Sequence, residues 1–179
     1  MSEATTLVPL RCTQCETALP AQPDEIAWVC ANCGTGQMLD LNTGLVPQPF
    51  HFHAGLEPEK TGRPFWVLEG QVTLSRDTYS AFNKKGESQK FWAAPRRFYI
   101  PAYTLSVDEL VDTVTTYLER QPELKEGHAE RFLPITLPQE DLQAVAEYVI
   151  TGVEAHRKDD VRQVQLTLKL GEPQLWVLR

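Results

Sequence analysis

Four cysteines are the residues of this chain with the clearest chemistry. Cys12, Cys15, Cys30 and Cys33 are its only cysteines and form two Cys-x-x-Cys pairs fourteen residues apart. Two residues between ligands let a short turn bring both sulfurs of a pair onto one ion, at about 2.3 Å for zinc. Gly34, directly after the second pair, suits the positive φ such a turn favours. The first pair is followed by Glu16, which predicts a less ideal turn. Between the pairs, "EIAWVC" reads as a short apolar strand entering the second turn. Four thiolates fill a tetrahedral shell and leave no position for water, so the pattern points to a structural metal and not a catalytic one. The same donors suit iron, and in an exported chain they would suit disulfides.

With the "MLDLNTGLV" segment added, whose Asn42-Thr43-Gly44 reads as a hairpin turn, residues 10–50 resemble a zinc ribbon: cysteine turn, loop, strand into a second cysteine turn with glycine, then a β-hairpin. The resemblance implies one structural Zn²⁺ held by all four cysteines. It implies no single function, because zinc ribbons occur in transcription factors, ribosomal proteins and enzymes alike.

Other residues carry weaker chemistry. Residues 83–99 interleave Lys84, Lys85, Lys90, Arg96 and Arg97 with Phe91, Trp92, Phe98 and Tyr99. Cations that neutralise phosphates and aromatic faces that stack on bases are how single-stranded nucleic acid is held. The competing reading is a strand whose aromatics face the core while its cations guard an edge, and an anionic protein fits the same residues. His51 and His53 share one side of an extended segment but find no third ligand nearby, so they read as surface or packing residues. His128 and His156 read as solvated, as do Glu147 and Glu154 on the polar side of a helix, with Asp159 and Asp160 beyond it. No phosphate-cradling glycine loop, nucleophile elbow or H-E-x-x-H helix is present in the sequence.

The elements that must position these residues follow from periodicity. "FWVLEGQVTL" alternates with Trp66, Leu68, Val72 and Leu74 on one face and predicts a strand. "RDTYSAFNKKGESQK" reads as a polar loop. "FWAAPRRFYIPAY" reads as extended, held to an edge or to two short strands by Pro95 and Pro101. "SVDELVDTVTTYLER" predicts a helix: Ser106 and Glu109 form a capping box, and Val107, Leu110, Val111, Val114, Tyr117 and Leu118 form its apolar stripe. "RFLPITL" predicts a short strand. A second helix follows from Pro138, with Leu142, Val145, Ala146, Val149, Ile150 and Val153 facing inward. "VRQVQLTLKL" alternates as a strand, "GEP" predicts a turn, and "QLWVLR" the returning strand. The expected class is α+β: a small N-terminal zinc ribbon (1–50), a Pro-rich connection (51–64), and a domain (65–179) with a mixed or antiparallel sheet packed on two amphipathic helices.

Composition narrows the function. The chain has 179 residues and a formal net charge of −7, which argues against a surface coated for nucleic acid. Residues 51–105 nevertheless hold eight bases against five acids, an island between acidic flanks. No run approaches the eighteen or so apolar residues of a membrane span, so no membrane insertion is expected. The acidic N-terminus predicts no secretory signal and a cytoplasmic protein. The leading expectation is a non-enzymatic zinc-ribbon protein that serves as an interaction or assembly module with a protein partner. The alternative is a nucleic-acid-binding or transcription-associated factor using the ribbon and residues 83–99.

Overall fold

The apolar strand between the cysteine pairs is β1 (Ala27–Val29). It pairs antiparallel with β2 (Gly36–Asp40), which returns as β3 (Gly44–Pro47). The turn forms where expected. Asp40 Oδ1 accepts from the N–H groups of Asn42 and Thr43, both at 2.8 Å, and Gly44 takes φ 87°. These N–H groups, Thr43 first, hold the Asp40 carboxyl below its ordinary pKa. The computed structural model describes residues 8–78, 85–157 and 161–179. Over these the class is α+β: the cysteine cluster with its three-stranded sheet, then a mixed five-stranded sheet packed with three helices.

The larger sheet is built around β5 (Arg63–Thr78). On one side β5 pairs antiparallel with β6 (Arg96–Pro101), and on the other with both β7 (Val161–Leu170) and β8 (Gln174–Leu178). β4 (Phe50–Phe52) adds the parallel pairing, to β8. The helices are α1 (Lys85–Trp92), α2 (Val107–Glu119) and α3 (Leu142–Ala155), the last entered through a 3₁₀ turn at Gln139–Asp141.

Alternation along β5 sorts the cores. Trp66, Leu68 and Val72 face the helices and pack with Trp92, Val114, Leu118, Ala146, Val149 and Ile150. Phe65 and Val67 face the other way, against Tyr99, Trp176 and Leu178. The first half of β5 is thus buried on both faces, which its unbroken "FWVL" allows. The α2 capping box is in place, with Glu109 N–H donating to Ser106 Oγ and Ser106 N–H to Glu109 Oε2.

Several expectations are corrected. Residues 85–92 form α1, not a loop, so the described residues hold three helices; Phe91 and Trp92 end that helix and, of 91–103, only Arg96–Pro101 is strand. "RFLPITL" makes only two isolated bridges, Phe132 to Gly62 and Ile135 to Ala27, because Pro134 interrupts any ladder. Gly171-Glu172-Pro173 does not reverse the chain. β8 runs on beside β5 in the direction of β7, and the register sum moves from 240 (Gly70↔Leu170) to 241 (Val67↔Gln174), one extra residue taken up as a bulge. The connection assigned to 51–64 carries part of β4 at its start and the first residues of β5 at its end. Val107, placed on the apolar stripe, is 56% exposed. Glu154, placed in solvent, is fully buried: it lies one turn beyond Ile150 and follows the buried stripe inward. Asp159 and Asp160 lie outside the described residues. No described helix is long and apolar enough to cross a membrane.

The two sheets are joined through shared packing. Ile26 N–H donates to Ile135 O at 2.8 Å, and Ala27 and Ile135 are both fully buried in the helix-side core, against which Ile26, Met38 and Phe50 also pack. Gln48 N–H donates to Gly36 O, and Gln139 Nε2 to Gln48 Oε1 at 2.9 Å.

Candidate metal centre

Each cysteine pair sits on a tight turn, and the two turns repeat each other bond for bond. In the first, Glu16 N–H donates to Cys12 O at 2.9 Å and Cys12 N–H to Thr17 O at 2.8 Å. In the second, Gly34 N–H donates to Cys30 O at 2.8 Å and Cys30 N–H to Thr35 O at 2.9 Å. Glu16 takes φ 59° and Gly34 φ 74°. The first turn therefore has the same geometry as the second, with Glu16 bearing the strain that glycine avoids.

The turns face one another so that their sulfurs interleave. Cys12 Sγ lies 3.5 Å from Cys33 Sγ, and Cys15 Sγ lies 3.5 Å from Cys30 Sγ. All four sulfurs fall within 4.8 Å of one another. A tetrahedron with bonds of about 2.3 Å has edges of about 3.8 Å, so the cluster fits one ion held by four thiolates. The sulfurs are far from the roughly 2.05 Å of a disulfide, and all four cysteines are free. Four soft donors in this arrangement suit zinc or iron.

The surroundings bias the sulfurs toward thiolate unevenly. Thr17 Oγ1 lies 3.3 Å from Cys15 Sγ and Thr35 Oγ1 lies 3.2 Å from Cys33 Sγ, each threonine two residues past its cysteine. The Thr17 hydroxyl, helped by Asn32, brings Cys15 down to about 5, and the Thr35 hydroxyl lowers Cys33. At Cys30 the backbone N–H of Cys33 favours the thiolate, but burial and the neighbouring Cys15 and Cys33 sulfurs outweigh it and push the thiol up to about 11. Cys12 and Cys30 are buried with Leu19 and Trp28, Cys15 is half-buried, and Cys33 is exposed. Fully buried Gln37 on β2 braces the first turn by accepting from Thr13 N–H at 2.7 Å.

Thr17, Thr35 and Gln37 are site residues that ligand spacing alone does not find. The repeat Cys-Thr-Gln-Cys-Glu-Thr and Cys-Ala-Asn-Cys-Gly-Thr carries the signal for the two threonines. No comparable signal marks Gln37.

Among the described residues of 83–99 the aromatic side chains Trp92, Phe98 and Tyr99 are buried and the two arginines have partners within the protein. Trp92 is 2% exposed, stacks on Phe98 with ring centroids 6.2 Å apart, and donates from Nε1 to Glu154 at 2.8 Å. Phe98 and Tyr99 are fully buried. Arg96 lies 4.0 Å over the Phe91 ring and donates twice to Phe91 O, and Arg97 pairs with Glu69 at 2.8 Å. Lys90 is exposed, Lys85 is the first residue of α1, and Lys84 lies outside the described residues. His51 stacks on Trp176 and bonds Glu126, while His53 spends both ring nitrogens on the backbone of Glu123 and Gly55. His128 and His156 are exposed.

No family model, curated protein or solved structure matches the chain.

Proposed function

We propose that this protein is a non-enzymatic interaction module of the cytoplasm whose N-terminal part is a zinc ribbon carrying one structural Zn²⁺ on Cys12, Cys15, Cys30 and Cys33. The observation that carries the reading is the closed four-sulfur cluster. A metal held there has no open position for substrate or water and serves to fix the turns around it. Four thiolates in a closed tetrahedral arrangement suit structural zinc, with iron the minor alternative. Apolar surface next to the module supports a protein partner. A hollow of about 240 Å³ between α2 and α3 is lined by Tyr103, Leu105, Leu110, Leu137 and Val145. It shares Tyr103, Thr104 and Thr136 with a second hollow that reaches Pro23 and Asp24 in the cysteine module.

The nucleic-acid alternative loses support from burial of Trp92 and Phe98 and from the internal partners of Arg96 and Arg97. Elemental analysis of the purified chain is expected to give about one zinc per chain with four reduced thiols. Metal-free protein with intact reduced thiols overturns the metal assignment. Crosslinked complexes recovered from native lysate are expected to yield one protein that rebinds the pure chain in fixed stoichiometry. Failure of every recovered protein to rebind overturns the module reading, and single-stranded RNA or DNA binding that weakens steeply with salt replaces it.

A further inference from the structure

β7 pairs only with β5 and leaves its other edge without a strand among the described residues. The hydrogen-bond phase of that ladder is set at its end. Gly171, one step past the Gly70–Leu170 pair, donates its N–H to Glu69 O at 2.8 Å. Backbone groups alternate sides along an antiparallel strand. Lys169, Thr167 and Gln165 therefore turn their N–H and C=O groups toward β5, while Leu168, Leu166 and Val164 turn theirs outward. Gln143 of α3 agrees with this phase: its Nε2 donates to Leu168 O at 3.3 Å. The side chains alternate as well. Val164, Leu166 and Leu170 are half-buried on the helix-bearing face beside buried Leu168, and Gln163, Gln165, Thr167 and Lys169 are exposed on the other.

We propose that β7 pairs antiparallel with β7 of a second copy about a two-fold axis at Gln165, joining two sheets into one. The strand is self-complementary in that register. Val164 faces the partner subunit's Leu166, so half-buried apolar side chains cover one another across the axis. Gln163 faces the partner subunit's Thr167, and Arg162 faces the partner subunit's Leu168. The two cations of β7, Arg162 and Lys169, never oppose each other, so no acidic foreign strand is needed to neutralise them. Neighbouring registers fit less well. An axis at Leu166 makes Leu168 an inner hydrogen-bonded pair and takes its carbonyl from Gln143, whereas with the axis at Gln165 Leu168 is an end pair and the ladder keeps the Gln143 bond by stopping at the Gln163–Thr167 pairs. An axis between Gln165 and Leu166 sets Arg162 against Lys169 and opposes outward backbone groups with inward ones. The inference rests on the β7 edge and not on the metal reading, so its failure leaves the expected zinc content untouched.

The test is sedimentation equilibrium of the full metal-loaded chain over a micromolar concentration series. The expected mass is twice the 20.3 kDa chain. Gln165→Lys and Gln165→Glu each change an exposed side chain and place like charges on the axis, where the non-hydrogen-bonded spacing is closest. Each is expected to raise the dimer Kd by about tenfold or more with far-UV circular dichroism unchanged, and mixing the two variants is expected to restore a dimer. A wild-type chain that stays monomeric, a dimer indifferent to both substitutions, or no recovery on mixing overturns the proposal.

Discussion

Replacing Glu154 with alanine removes the only acid among the fully buried side chains of the described core. Glu154 Oε1 accepts from Trp92 Nε1 and from Arg157 Nε, both at 2.8 Å, and so ties α1 to α3. Without it the Trp92 indole N–H is left in a site only 2% exposed, at a cost of about 1–3 kcal/mol. Arg157, whose side chain is 18% exposed, loses its carboxylate, and breaking a buried pair by removing one partner costs about 3–5 kcal/mol. These penalties overlap, so the expected loss for Glu154→Ala is about 3–5 kcal/mol. That is a large share of the roughly 5–15 kcal/mol that holds a domain together. Urea unfolding of the metal-loaded chain, followed by tryptophan fluorescence and circular dichroism, is expected to show a lower midpoint with unchanged slope. Glu154→Gln keeps an acceptor for the indole and is expected to lose less. In a double-mutant cycle with Trp92→Phe, the two sites are expected to couple by about 1 kcal/mol or more. A loss below about 1 kcal/mol for Glu154→Ala, with no coupling, would mean a solvated carboxylate and would refute the reasoning.

Removing the Thr35 hydroxyl with Thr35→Val is expected to speed loss of the metal to a chelator about tenfold, since groups bonded to ligands tune affinity at that scale; an unchanged rate denies the hydroxyl that role. In the metal-free chain, alkylation at neutral pH is expected to modify Cys15, lowered to about 5, well before Cys30, raised to about 11, as read by peptide mass mapping. The stability signs are opposite. The Cys15 contribution is full above the ordinary thiol value of 9.0 and is lost as pH falls toward 5; the Cys30 contribution is full below 9.0 and is lost as pH rises toward 11. The metal-free melting temperature is therefore expected to fall on both sides of that value. Ser106→Ala removes the α2 cap and is expected to cost about 1 kcal/mol in the same urea assay.

Local signals carried the parts of the fold that they govern. The cysteine turns, the Asp40–Gly44 hairpin, the Ser106 capping box and the alternation of β5 and β7 each depend on residues within a few positions of one another, and each forms as the sequence predicts, except that the first cysteine turn matches the second where Glu16 predicts a less ideal one. What sequence missed depends on partners far along the chain. Residues 85–92 are polar and weakly amphipathic, yet they fold as α1 because Trp92 docks on Phe98 and Glu154, the latter 62 positions on. The same contact takes Trp92 from a stacking candidate to a core residue. A carboxylate normally belongs in solvent, and at Glu154 the bonds from Arg157 and Trp92 reverse that. Gly171-Glu172-Pro173 has turn chemistry, but the edge of β5 continues past it, and a one-residue bulge satisfies the ladder at the same point.

The cysteine module is packed into the rest of the protein and is not an appendage on a proline-rich tether. Ala27 of its first strand is fully buried beside Ile135, and the Ile135 carbonyl holds Ile26 at 2.8 Å. Gly36 of its second strand leaves room for the Gln48 carbonyl and the Phe50 ring, which an added Cβ would strike. Phe50 begins β4, which pairs with β8 at Leu175–Val177. The cysteine cluster, β2, β4 and the central sheet are thus linked through shared contacts, and loosening the turns around the sulfurs reaches the helix-side core through Ala27 and Met38. Chelation of the metal is therefore expected to lower a single unfolding transition of the whole chain. Two transitions, with the second unmoved by chelator, would show that the module and the α+β domain fold independently despite their shared packing.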